Sequence, residues 1–285
     1  MSRLWLSVAA AAALSSAGIA AYAADLPAYV TAALADPGRA QADRDADALR
    51  KPGNMVEFAG IKPGMKVVDI SPGGPYYFTR VFSKVVGPNG VVYAVDNPPR
   101  PRPAGAPPAG GPPPGAPPAA GGMAPGGGRG AGGPPPGGAP GAAPVVRAPI
   151  SDYANVKLIA APIVQGFTLP EKVDVMWTSR NYHDFKNANP DLSAFNKAVF
   201  DGLKPGGIFV VLDHAAKEDD TPDVTSRLHR IQSLRVKAEV VAAGFKFVGQ
   251  DDELRNPQDD DTKRVFEAGE HDHTDQFILK FQKPN

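Results

Sequence analysis

Residues Lys66 to Asp96 read KVVDISPGGPYYFTRVFSKVVGPNGVVYAVD, and the fold is decided there. KVVDI (Lys66–Ile70) is a short, β-branched apolar run of the kind that forms a buried strand. Ser71-Pro72-Gly73-Gly74-Pro75 is a tight glycine-rich turn. Tyr76 to Val86 then places Phe78, Val81, Phe82 and Val85 at helical spacing. Gly87-Pro88-Asn89-Gly90 turns the chain, and VVYAV (Val91–Val95) is a second strand ending at Asp96. Strand, glycine turn, helix, strand is the unit of a parallel α/β sheet. The turn lets backbone approach a ligand, and the helix start offers unpaired N–H groups. An acid closes each strand. Asp96 follows Asp69 by 27 residues, near the spacing at which such an acid meets the hydroxyls of a ribose. Asp69, Ser71, Gly73, Gly74, Tyr76, Tyr77 and Asp96 are therefore the candidate cofactor-binding residues. The dinucleotide fingerprint G-x-G-x-x-G is absent, which disfavours an NAD(P)-dependent oxidoreductase.

Working outward, the same alternation resumes twice. Val156–Ala160, Val173–Thr178 and Ile208–Asp213 read as the third, fourth and fifth strands, the last almost wholly apolar and hence central. Phe245–Gln250 and Gln276–Gln282 are two more, free to pair antiparallel across the acidic loop between them. Helices are expected over Ala40–Arg50, Met55–Ala59, Leu192–Leu203 and, as one long element, Val224–Ala243. The expectation is a Rossmann-like α/β fold: seven strands, mostly parallel, an antiparallel last strand, and helices on both faces.

Two segments stand apart. Met1–Ala23 reads as a secretory signal peptide: Arg3, an apolar run Leu4–Leu14, and the small-x-small site Ala21-Tyr22-Ala23. Uncleaved, Leu4–Ala23 is long enough to anchor in a bilayer. Cleaved, it leaves a periplasmic or otherwise exported protein with no stable membrane insertion. Asn97–Pro149 holds 18 of the chain's 32 Pro and 15 of its 31 Gly. It cannot bury enough apolar surface to offset its ordering, so it reads as a disordered insertion. It divides one domain into residues 24–96 and 150–285, which a loop can do because closure entropy grows only logarithmically with length.

The chain has no cysteine, which excludes disulfides, thiolate metal sites and cysteine nucleophiles. Its formal charge is zero, which argues against bulk electrostatic binding of nucleic acid. No metal is expected. His271-Asp272-His273 offers closely spaced ligands without a clear third and fourth. Asp251-Asp252-Glu253 and Asp259-Asp260-Asp261 read as solvated charges, and His229 as a packing or surface residue in the long helix.

Asp69-Ile70-Ser71-Pro72-Gly73-Gly74-Pro75 resembles motif I of the class I S-adenosylmethionine-dependent methyltransferases, with Ser71 and Pro75 in place of its first and third glycines. Lys204-Pro205-Gly206-Gly207 and Ala243-Gly244-Phe245 resemble that superfamily's turns before the fifth and sixth strands. More narrowly, Asn181-Tyr182-His183-Asp184, Asp213-His214, Leu228-His229-Arg230-Ile231 and Asn256-Pro257 resemble marks of an exported bacterial group classed as predicted methyltransferases. The resemblance implies S-adenosyl-L-methionine as cofactor and methyl transfer to an acceptor it does not identify. It also implies substrate-facing residues after the fourth strand, hence Asn181 and Tyr182, with His183 as a candidate base oriented by Asp184. The alternative is a non-catalytic descendant that binds another envelope ligand, favoured by Ser71, Pro75 and the export signal.

Overall fold

A computed structural model describes residues 26–98, 149–267 and 273–285. The expected leader and nearly all of the expected Pro/Gly insertion lie outside the described residues, as do His271 and Asp272.

The strands are β1 (Lys66–Ile70), β2 (Val91–Asp96), β3 (Val156–Ala160), β4 (Val173–Ser179), β5 (Leu203–His214), β6 (Lys246–Asp251) and β7 (Gln276–Gln282). They form one sheet in the order β3-β2-β1-β4-β5-β7-β6. β1 to β5 pair in parallel, and β7 runs antiparallel to both β5 and β6. The seven-stranded, mostly parallel sheet expected from the sequence is thus present. After β3 the chain returns to the other side of β1, so the order reverses between β1 and β4. Open α/β sheets bind ligands outside the strands' carboxyl ends at such a reversal.

The helices are α1 (Ala28–Leu34), α2 (Gln41–Asp45), α3 (Asp47–Arg50), α4 (Pro52–Ala59), α5 (Tyr77–Val86), α6 (Tyr182–Ala188), α7 (Ser193–Gly202), α8 (Val224–Leu228) and α9 (Ser233–Ala242). They cover both faces. Along β5, Phe209 and Val211 join the core under α6, α7 and α9, whereas Val210 and Leu212 join the core under α1, α4 and α5. That is the two-residue alternation of a strand buried on both sides. On the second face α5 is held by aromatic contact, with Phe78 4.9 Å and Phe82 5.7 Å from Trp177 of β4.

Three expectations are corrected. The helix expected over Ala40–Arg50 is broken at Ala46, after which Asp47 turns inward to bind Arg39 and Tyr77. The short helix expected from Met55 begins at Pro52, whose missing N–H costs nothing at a first helical position. The long helix expected over Val224–Ala243 is two. His229 ends α8 in the left-handed region at φ 56°, and Ile231 then bridges to Ala215 beside the sheet. Arg230 between them is fully buried, with Nη1 2.8 Å from Asp259 and 3.1 Å from Asp261. The side chain of Asp259 is itself almost fully buried, and it accepts a bond from the Asp275 N–H. Asp275, buried too, pairs with Arg255 at 2.7 Å. The acidic loop is therefore stapled to the domain, and Asp259 is not a solvated charge.

Candidate functional site at the carboxyl ends of the strands

The glycine turn is positioned by its backbone. Ser71 donates its N–H to Val95 O at 2.8 Å, extending the β1–β2 pairing by one residue. Its carbonyl accepts from Asn181 Nδ2 at 2.9 Å, and the same amide donates to Ser179 O at 2.8 Å. Asn181 thus ties the turn after β1 to the end of β4. Gly73 sits at φ +69°, where a side chain is strained, and a Cβ added to Gly74 would meet nothing within 4 Å. No described residue accepts a hydrogen bond from the N–H of Gly73 or Gly74. The Pro75 carbonyl is held by Arg80 Nε at 3.1 Å. The turn therefore presents bare backbone donors to open space, as close approach of a ligand requires.

Asp96 stands half-buried at the end of β2, accepting the N–H of Asn97 at 2.7 Å. Tyr76 precedes α5 in the left-handed region at φ 52°. Burial pushes its phenol up, and the neighbouring Asp96 carboxylate adds to the effect. Tyr76, Asp96 and the two glycines therefore share one corner.

The other expected cofactor contacts point elsewhere. Asp69 is buried and accepts from Thr79 Oγ1 at 2.6 Å, so it pins α5 to β1. Burial pushes its carboxyl up to about 7 against the pull of the Thr79 hydroxyl and N–H. Tyr77 is buried beneath α3. Its hydroxyl donates to Asp47 at 2.6 Å, and the Arg50 guanidinium lies 4.7 Å above its ring. Of the adjacent tyrosines, Tyr76 stays half-buried beside Asp96 and Tyr77 is turned into the core.

At the end of β4, Tyr182 is also a core residue. It is fully buried, its hydroxyl donating to Glu239 at 3.1 Å and accepting from Asn196 at 2.9 Å, so its place as a substrate contact is corrected. His183 is buried. Its N–H and Nδ1 both meet the fully buried Asp213 of β5, at 2.8 and 2.7 Å. Its Nε2 has no hydrogen-bond partner and lies 3.4 Å from Asp184 Oδ1. Burial alone would lower the pKa of this imidazole, but Asp213 and Asp184 outweigh it and hold it above the usual range. His214 packs 5.9 Å from His183 and bonds Thr274 at 2.7 Å, and the ring of His229 stands 5.5 Å from His183 on its other side. The sequence pattern puts His229 inside a helix, which hides its grouping with His183 and Asp184.

At this end of the sheet a narrow depression with room for about one water molecule is lined by Leu49 and Arg50 of α3, Phe78, Ser179, Arg180, Leu212, Leu254 and Gln276. Of the six non-glycine residues with positive φ among those described, Ser71, Tyr76, Arg180 and His229 stand around this end of the sheet. Each such residue costs about 1–2 kcal/mol, and clustered strain of this kind marks functional sites.

No protein-family model matches the chain, and no curated protein matches it in sequence. Solved structures similar in fold include an S-adenosylmethionine-dependent methyltransferase from Aquifex aeolicus (14% identity, 85% of this chain and 95% of that one, TM-score 0.47). Another is 1,6-didemethyltoxoflavin-N1-methyltransferase from Burkholderia thailandensis, with 1,6-didemethyltoxoflavin and S-adenosylhomocysteine bound (12%, 86% and 82%, TM-score 0.47). A third is the arsenic(III) S-adenosylmethionine methyltransferase from Chlamydomonas reinhardtii (13%, 91% and 74%, TM-score 0.45).

Proposed function

We propose that this chain is an exported methyltransferase that binds S-adenosyl-L-methionine at the β1–β2 corner and methylates an acceptor brought over the ends of β4 and β5. The observation that carries the reading is the corner itself. At the sheet's reversal, a glycine turn with uncommitted N–H groups and an empty Gly74 face stands beside an acid and a phenol at the end of β2. Asp96 would take the ribose hydroxyls, Tyr76 would cover the nucleoside, and the Gly73 and Gly74 N–H groups would face the amino-acid end. The cofactor supplies a sulfonium methyl whose carbon–sulfur bond breaks as the acceptor's electron pair forms the new bond.

What the chain adds is position, because methyl transfer needs an in-line approach more than it needs a proton carrier. Asn181 fixes the donor corner relative to the acceptor side through Ser71 and Ser179. Export rests on the leader Met1–Ala23. No helix among the described residues is long and apolar enough to cross a membrane. A charged cofactor does not cross a bilayer unaided, so this reading requires a donor supply outside the cytoplasm.

The test is calorimetric titration of the purified chain with S-adenosylmethionine and S-adenosylhomocysteine. Binding of both is expected, with Asp96→Ala weakening it about 10- to 100-fold, the worth of hydrogen bonds to a charged acceptor. A folded protein that binds neither overturns the cofactor reading and leaves a binding domain built on the same sheet.

A further inference from the structure

We propose that His183 Nε2, the Asp184 carboxylate and His229 Nδ1 form a site for one divalent transition-metal ion of the zinc class. The sequence carried the opposite expectation, that the chain has no metal site. This inference does not depend on the methyl donor.

The first support is geometric. Asp184 Oδ1 lies 3.4 Å from His183 Nε2 and 3.3 Å from His229 Nδ1, and all three atoms fall within 4.8 Å of one another. Zinc bound at about 2.0–2.1 Å by nitrogen and oxygen in a tetrahedron separates its ligands by about 3.3–3.4 Å. Two of the three edges already have that length.

The second support is the state of the donor atoms. His183 Nε2 is fully buried without a hydrogen-bond partner, and His229 Nδ1, also buried, has only its 3.3 Å approach to Asp184 Oδ1. Buried polar atoms are nearly always satisfied, and an ion shared with the Asp184 carboxylate would satisfy both nitrogens. Two imidazole nitrogens and a carboxylate oxygen are the donor set of first-row divalent ions, not of calcium or magnesium.

The third support is the layer behind the ligands. Asp213 binds His183 Nδ1 at 2.7 Å and the His183 N–H at 2.8 Å, and one of its oxygens also takes the His214 N–H at 2.8 Å. A carboxylate on the far nitrogen fixes the ring's orientation and leaves Nε2 as the lone-pair atom, the usual support of a metal-bound histidine. His229 is held in its unusual φ of 56° by the break between α8 and α9, which aims its ring back at Asp184.

One contact must yield. Arg264 Nη2 lies 3.2 Å from His229 Nε2, and a guanidinium only donates. In that arrangement the ring proton sits on Nδ1. Binding an ion moves the ring N–H to Nε2, and Arg264, on an exposed stretch, turns away. Three protein ligands leave a fourth position for water or a ligand oxygen, the arrangement of reactive rather than structural zinc sites. Asp184, half-exposed, keeps that position open to solvent.

The experiment uses the full chain, stripped with chelator and titrated with Zn²⁺ alone by calorimetry, with Co²⁺ absorption as the report on geometry. One ion per chain is expected, with the visible bands of four-coordinate cobalt. Asp184→Asn and His229→Ala change side chains that are 51% and 19% exposed, so folding should survive, and circular dichroism checks it. Each should weaken Zn²⁺ binding by about a hundredfold or more. Asp213→Asn, which reaches the ion through the His183 ring, should weaken it about 10- to 100-fold. No stoichiometric binding by the folded chain overturns the proposal. So does binding of unchanged affinity in both ligand variants, which would put the ion elsewhere. Because no nucleoside is present, failure here leaves the methyl-donor reading untouched, and the reverse holds too.

Discussion

The β1–β2 corner and the β4–β5 corner lie on the same edge of one sheet and are built on opposite principles. The first is made of backbone. Ser71, Gly73, Gly74 and Tyr76 are neighbours in the chain; three of them have positive φ, and the N–H groups of the two glycines are left without an acceptor. Its buried acid, Asp69, bonds a residue only ten positions away. The second is made of side chains brought from far apart. His183 meets Asp213 across 30 residues, Arg230 meets Asp261 across 31, and His229 arrives through a broken helix. A backbone corner tolerates substitution of side chains that do not set its dihedrals. A side-chain corner fails when one member of a buried network is removed.

The largest test of that contrast is Arg230→Met. It leaves Asp259 and Asp261 without their buried cation, and breaking such a pair costs about 3–5 kcal/mol. Urea unfolding should show the loss. A cost below about 1 kcal/mol would break the comparison, since the second corner would then not depend on its charges.

Asp69→Asn probes the one buried acid of the first corner, and its effect depends on pH. Burial raises the carboxyl from 3.8 to about 7 in the folded chain, so between those values the folded state holds the proton more tightly than the unfolded one. Stability from this group is present in full below pH 3.8 and is lost as pH rises through 7. Asparagine carries no such dependence and keeps an oxygen for Thr79. Relative to the variant, the wild type should therefore lose stability from pH 4 to 7.5, by at most about 4 kcal/mol. Thermal unfolding of both across that range measures it. Parallel curves would mean that Asp69 is ionised in place and that the corner holds a charge after all.

The same contrast explains what could be read from the sequence. β1 and β7 have the bounds expected of them, and the glycine turn and Asp96 stand where the strand-turn-helix-strand pattern put them. Local backbone chemistry leaves a local mark. Tyr76 and Tyr77 were indistinguishable, because adjacent aromatic residues at a helix start do not say which one turns inward; packing beneath α3 decides it. The burial of Tyr182 is hidden in the sequence for a related reason. The residue after a strand end reads as cleft-facing, yet Asn196 and Glu239 capture its hydroxyl from other helices. The helical spacing of Val224–Ala243 gave no sign that Arg230 would be drawn into a buried cluster, breaking the helix and turning His229 toward Asp184. The Leu228-His229-Arg230-Ile231 run was the available signal, and its meaning depends on acids that come much later in the chain.

The smallest expected effect is the most informative about how the corners communicate. Asn181 is a single half-buried amide that donates to Ser71 O on one side and Ser179 O on the other. Asn181→Ala removes two hydrogen bonds and opens no large cavity, so stability should fall by about 1–2 kcal/mol. The functional consequence separates two physical pictures. If Ser71 keeps its left-handed conformation through its bond to Val95 alone, affinity for S-adenosylhomocysteine will stay at the wild-type value, and the corners are independent. If the amide is what holds Ser71 at φ 54°, the turn relaxes and affinity falls about 3- to 10-fold while the Zn²⁺ isotherm is unchanged. We expect the second outcome. The Val95 bond fixes only the N–H of Ser71, and nothing else described holds its carbonyl against the strain of that φ.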